Sequence, residues 1–89
     1  MAQILVTPDT LRGKAADVRN LKGQHDDVIA RLKSLVSSLN ETWQGNAQTE
    51  FVTSFEGMNT TFAQFSELLD NYAKEMERFA NKMEEADRL

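Results

Sequence analysis

The stretch NETWQGNAQ, residues 40–48, interrupts two long repetitive segments of an 89-residue chain and carries its single tryptophan, Trp43. Gly45 follows two residues later. Glycine at a helix end relieves the left-handed conformation that closes it, so Gly45 is expected at C′ of the preceding helix. Asn46 then stands where it would cap the next one. A connection this short between two helices forces them to lie antiparallel. The stretch therefore reads as the turn of a helical hairpin.

Working outward, the first segment opens on TPDTL, residues 7–11. Thr7 is placed to cap, Pro8 suits the first helical position, and Asp9 meets the positive end of the dipole. Thr10 stands where a full capping box would have Glu or Gln. A row then runs Leu11, Ala15, Val18, Lys22, His25, Ile29, Leu32, Val36, Leu39, and Trp43 continues it. Leu21, Val28 and Leu35 form a second row beside the first. Together they make a stripe wider than a two-stranded seam needs. Gly13 and Gly23 each weaken the helix by roughly 1 kcal/mol relative to alanine, which packing has to offset.

The second segment is more regular. Ala47, Phe51, Phe55, Met58, Phe62, Phe65, Leu69, Tyr72, Met76, Phe79, Met83 and Ala86 follow steps of three and four, and no proline interrupts them. A seven-residue repeat held this long predicts left-handed supercoiling against a neighbour. The expected organisation is a single all-α domain, an antiparallel helical hairpin. Its helices would span about 8–41 and 47–86, with the turn at about 42–46, and at ~1.5 Å per residue the arms would reach roughly 50–60 Å. One helix covers only part of its partner's stripe. Dimerisation into a four-helix bundle is therefore expected, with Leu21, Val28, Leu32, Leu35, Phe55, Phe62, Phe65 and Leu69 as its core and dimer seam.

Composition narrows the function. The chain holds no cysteine, which excludes disulfides and thiolate metal sites, and its formal charge is −4. Residues 8–41 hold six basic and five acidic side chains, and residues 46–89 hold four and nine. Neither is a basic patch, so no nucleic-acid partner is expected, and strong attraction to anionic lipid is not expected either. The short apolar patch Ile4–Val6 lacks the length and basic flank of a signal peptide, and no apolar run reaches membrane-span length. Export would need a route other than a cleaved signal peptide.

No catalytic set is present. His25 is the only histidine and reads as a polar break in the stripe that helps to fix register. Glu84, Glu85 and Asp87 sit on different helix faces without a cation-binding loop and read as a solvated end. No phosphate loop or nucleophile elbow occurs. Neither an enzyme nor a cofactor is expected. Trp43 has two readings: a lid sealing the closed end of the hairpin against Phe51, or an aromatic handle displayed for recognition.

Trp43-Gln44-Gly45 in the middle of a chain this size, with TPDTL opening the first helix and two long amphipathic arms, resembles the WXG-100 family. These are small secreted proteins related to the early secreted antigenic target of mycobacteria, and the resemblance covers essentially the whole chain. It implies a hairpin that dimerises with itself or with a W-x-G paralogue. It also implies export in the folded state through a type VII (ESX) secretion system, driven by a membrane-bound ATPase. The turn and a C-terminal Tyr-x-x-x-acid motif resemble a two-part export signal, with the turn of one subunit near the tail of the other. Trp43 and Gly45 carry over directly. Tyr72 is followed at the fourth place by Met76, with Glu75 and Glu77 on either side, so the second part departs from the pattern. A looser match pairs Met83 with Asp87.

The expected function is that of a secreted type VII substrate acting by protein–protein binding, as effector or export adaptor. The alternative is a cytoplasmic dimeric helical adaptor. Membrane activity is left open by these residues, because dimer packing already accounts for the apolar stripe.

Overall fold

A computed structural model of the chain describes residues 6–88. Ile4 and Leu5 of the apolar patch lie outside the described residues. Three helices follow in order: α1 Pro8–Leu39, α2 Asn46–Gly57 and α3 Asn59–Arg88. The chain is an all-α antiparallel hairpin with extents of 67 × 23 × 20 Å.

Thr7 caps α1 in extended backbone, its hydroxyl accepting from the Thr10 amide at 3.0 Å, and Pro8 occupies the first turn where no amide hydrogen is needed. At the other end, α1 closes differently from the expectation. The amides of Asn40, Glu41 and Thr42 each bond the carbonyl three residues back at 3.2 Å, and Trp43 N–H reaches Leu39 O at 2.8 Å. This tightening satisfies the terminal carbonyls with Asn40 still right-handed, so no left-handed residue is required there. Gly45 is instead the N-cap of α2, with φ 125° and ψ −178°. Asn46 is the first helical residue and no side chain caps this helix. The reversal needs a backbone conformation that is essentially glycine-only, and the chain supplies it at the start of α2.

The second arm, expected as one helix over about 47–86, is α2 and α3 joined at Met58. Met58 N–H donates to Phe55 O at 3.0 Å, and the regular ladder resumes with Phe62 N–H to Met58 O, also 3.0 Å. No proline is involved. Gly57, the last residue of α2, weakens the helix at that point. The Phe55 and Phe62 rings span the break with centroids 6.0 Å apart and keep the two segments in line.

Every member of the Leu11–Leu39 row is buried or half-buried against the second arm. The row proposed for the second arm, in contrast, divides in two. Phe55, Phe62, Leu69, Met76 and Met83 turn inward, whereas Phe51, Met58, Phe65, Tyr72 and Phe79 remain exposed. Small residues fill the inner face between the large ones: Ser66 is half-buried, and Ala73 and Ala80, like Ala15 on α1, are fully buried. Two helices approach closely only where side chains are short, so alanine takes positions that hydrophobicity alone assigns to aromatics. Among the described residues no large side chain is fully buried. A single hairpin has an inner seam and no deeper core.

Candidate interaction surfaces

The inner seam divides the rest of the hairpin into two flanks of opposite character. One residue turns an α-helix by about 100°, so residues just after the seam positions line one flank and residues just before them line the other. After Leu11, Val18 and His25 come Arg12, Arg19 and Asp26, and after Leu69, Met76 and Met83 come Asp70, Glu77 and Glu84. These meet across the seam. Arg12 pairs with Glu84 and donates to Asn81 Oδ1 at 3.0 Å. Arg19 pairs with Glu77 and with Asp70 at 3.1 Å. Asp26 accepts from Ser66 Oγ at 2.7 Å and from Lys22 Nζ at 2.9 Å, with His25 Nδ1 at 3.1 Å.

The hydrogen bond from Ser66, followed by those of Lys22 and His25, holds the Asp26 carboxyl far below the usual carboxylate range. Lys74, with Arg19 adding to it, lowers Asp70 in the same way. The guanidinium groups of Arg12 and Arg19 are raised, chiefly by their bonds to Glu84 and Glu77.

The opposite flank is apolar. Leu21, Val28 and Leu35 precede the α1 seam positions, and Phe65, Tyr72 and Phe79 precede Ser66, Ala73 and Ala80. Because the ion pairs fix the polar flanks of both arms to one side, the apolar rows share the other side. With Phe51 and Met58 they form a strip whose members are between 42% (Phe51) and 61% (Leu35) exposed. Phe65 packs on His25 with ring centroids 5.1 Å apart, and Arg78 lies over Phe79 at 4.6 Å. Of the eight residues expected in a core or dimer seam, Leu32, Phe55, Phe62 and Leu69 lie inside the hairpin. Leu21, Val28, Leu35 and Phe65 lie on the open strip.

The turn forms the third surface. Trp43 is 36% exposed and tilts against Phe51 with centroids 5.7 Å apart. Gln48 Nε2 donates to Asn40 Oδ1 across the loop, and Thr49 bonds Gly45 O through both its amide, at 3.1 Å, and its hydroxyl, at 3.2 Å. The two rings pack against each other at the closed end, and both remain partly in solvent.

The tail residues do not assemble with the turn. Tyr72 lies on the apolar strip, and Glu75 is exposed and bound to Arg78 at 2.8 Å, which lowers its carboxyl. Met83 is half-buried in the seam, and Asp87 is exposed near the far end of α3. From Asn46 to Asp87 the second arm runs roughly 60 Å at ~1.5 Å per residue. Within one chain, Trp43 and this end stay apart. Ser66, Ala73 and Ala80 were missed by reasoning from hydrophobicity. Their spacing of seven is the signal that marks them.

Among the described residues no group of acidic or histidine side chains is arranged to hold a metal, and no helix is long and apolar enough to cross a membrane. Comparison with known proteins agrees with the hairpin geometry. YukE of Bacillus subtilis is 27% identical over 84 residues, covering 94% of this chain and 87% of the relative. Type VII secretion system extracellular protein A of Staphylococcus aureus is 22% identical over 87 residues, covering 98% and 90%. The crystal structure of the secreted protein EsxB of Bacillus anthracis superposes with a TM-score of 0.86 at 29% identity, over 98% of this chain and 99% of that one. The family model described as proteins of 100 residues with WXG matches residues 3–88, which takes in both arms and the Trp43–Gly45 turn, and the chain therefore belongs to the WXG100 family.

Proposed function

We propose that this protein is a secreted substrate of a type VII secretion system that works as a dimer of hairpins, by binding proteins as effector or export adaptor. The observation that carries the reading is the open apolar strip on a hairpin that has no core of its own. Eight large apolar side chains on one side of a rod this thin stay in water unless a second hairpin covers them. A second copy, or a W-x-G paralogue, packing its own strip there completes a four-helix bundle. Family membership and the extracellular and secreted relatives support the route.

Export of a folded dimer also brings the two halves of the signal together. Trp43 and the Tyr72–Asp87 region are separated along one chain, and a head-to-tail second hairpin sets the turn of one beside the tail of the other. Trp43 and Gly45 then form the first half of a composite handle for the secretion ATPase. Tyr72, Glu75, Met83 and Asp87 supply the candidates for the second.

The test has two arms. Val28→Asp places a charge mid-strip and should yield a monomer in sedimentation at micromolar concentration, where the wild type is dimeric. In a bacterium with an intact type VII system, Trp43→Ala should reach the medium poorly while the purified protein stays helical and dimeric. A monomeric wild type would remove the bundle. Equal export of wild type and Trp43→Ala would remove the handle.

A further inference from the structure

The second arm is held unevenly along its length. The polar ties that cross from α1 all end on α3: Arg12 and Arg19 reach Glu84, Glu77 and Asp70, and Asp26 reaches Ser66. Among the described residues the two acids of α2, Glu50 and Glu56, have no ion pair. The one side-chain bond from α2 towards the other arm is that of Gln48 to Asn40, in the loop. The close backbone approach of the arms likewise runs between α1 and α3, whereas α2 stands off from α1. A hollow of about 240 Å³ lies beneath it, with Val36 and Asn40 on one side and Val52 and Phe55 on the other.

Both ends of α2 are weak. The helix has 12 residues, no side-chain cap on its N-terminus, no acid in its first turn and no base in its last. Isolated helices of fewer than ~12–15 residues are marginal in water, and the caps and end charges that would help are missing here. At the other end Gly57 leads into Met58, at φ −85° and ψ −9°, where the ladder of hydrogen bonds is interrupted. No residue of α2 is buried. It is held by half-buried Val52 and Phe55, by the Phe55–Phe62 ring contact and by Phe51 on Trp43.

We propose that α2 opens as one unit, hinging at Gly57–Met58 and at Gly45 while α1 and α3 stay paired, and that this opening lifts Phe51 off Trp43. Local opening falls to the segment with the fewest buried contacts, and a short helix between two weak points is such a segment. Trp43 stays with the first arm through its amide bond to Leu39 O at 2.8 Å, whereas Phe51 travels with α2. The indole is then uncovered on the face that Phe51 holds. Apart from Phe51 and Met58, the members of the apolar strip lie on α1 and α3 and keep their places. The inference deepens the reading of Trp43 as an export handle and rests on it only for the use made of the uncovered ring.

Native-state hydrogen exchange on the full chain reads the opening. The amides of residues 50–57 should exchange together, about tenfold or more faster than those of residues 66–80. Trp43 is the only tryptophan, so its quenching by acrylamide reports the loss of Phe51. In a urea titration that quenching should rise before the far-ultraviolet circular dichroism of the helices falls. Gly57→Ala strengthens the junction, and its added Cβ meets no atom within 4 Å. The variant should slow exchange of residues 50–57 about fivefold, leave residues 66–80 unchanged, and bring the two urea transitions closer together.

Equal protection of the two segments, a Gly57→Ala variant that slows both or neither, or quenching and circular dichroism transitions that coincide in the wild type would each overturn the proposal. None of these readings involves export. Equal export of wild type and Trp43→Ala would remove the handle and leave the opening in place.

Discussion

The two halves of the hairpin are built from the same seven-residue period but pack differently. In the half that holds the chain ends, Ala15, Ala73 and Ala80 have no exposed surface, and ion pairs cross one flank. In the half that holds the turn, Leu32, Val36, Phe55 and Phe62 fill the seam, no residue of α2 is buried, and two hollows of about 370 and 240 Å³ open between the arms. Short side chains let backbones approach and long ones hold them apart. A constant period therefore specifies that two helices face each other, and side-chain volume along it sets how closely.

The largest effect expected from breaking this difference comes at its tightest point. Ala73→Leu forces a branched side chain between arms already in contact and should cost up to about 3 kcal/mol, read as a lower Tm and urea midpoint. Ala63→Leu adds the same volume to an exposed position in the turn half and should shift stability by less than about 0.5 kcal/mol. Equal losses would mean that the two halves pack alike.

Gly45 sharpens the turn side of the comparison. A Cβ there would meet no atom within 4 Å, so any cost is a backbone cost at φ 125°. Gly45→Ala should lose about 1–2 kcal/mol of stability. A neutral result would show that the loop relaxes to another reversal.

The smallest effect concerns acid. The Asp26 and Asp70 carboxyls are lowered in the folded chain relative to their ordinary value of 3.8. A depressed carboxylate contributes stability that is present above its unfolded pKa and is lost as pH falls through the folded one. Thermal melts should therefore stay level from pH 7 to about pH 5 and fall below about pH 4. Asp26→Asn should flatten part of that fall. Exposed ion pairs contribute little, so the change should be modest and should shrink further in high salt. A steep loss at neutral pH would point away from these carboxylates.

Much of the hairpin is legible in the chain. Thr7-Pro8 announces the first helix because capping and proline act within four residues. The Leu11–Leu39 row reads correctly because its large apolar members are also the ones that pack. The second arm misleads for a physical reason. Its aromatics are spaced so regularly that they read as one seam, but a helix presents only about a third of its surface to one partner. The closest approach falls to Ser66, Ala73 and Ala80, which bury little apolar area. Gly45 reads from the sequence as the close of α1 but opens α2 instead, because α1 closes by tightened bonds that leave no pattern in the sequence. The break at Met58 is marked only by Gly57, and a single glycine inside a strong repeat is a weak signal.

By itself, the sequence determined that the chain is two amphipathic arms reversing at Trp43–Gly45, since periodicity, caps and glycine backbone freedom are local properties. The assembled hairpin alone settles which apolar rows turn inward and which flank carries the ion pairs. Those outcomes depend on how the rotational phase of one arm meets that of the other, and the phase is set by side-chain volumes brought together across the hairpin, up to 72 residues apart.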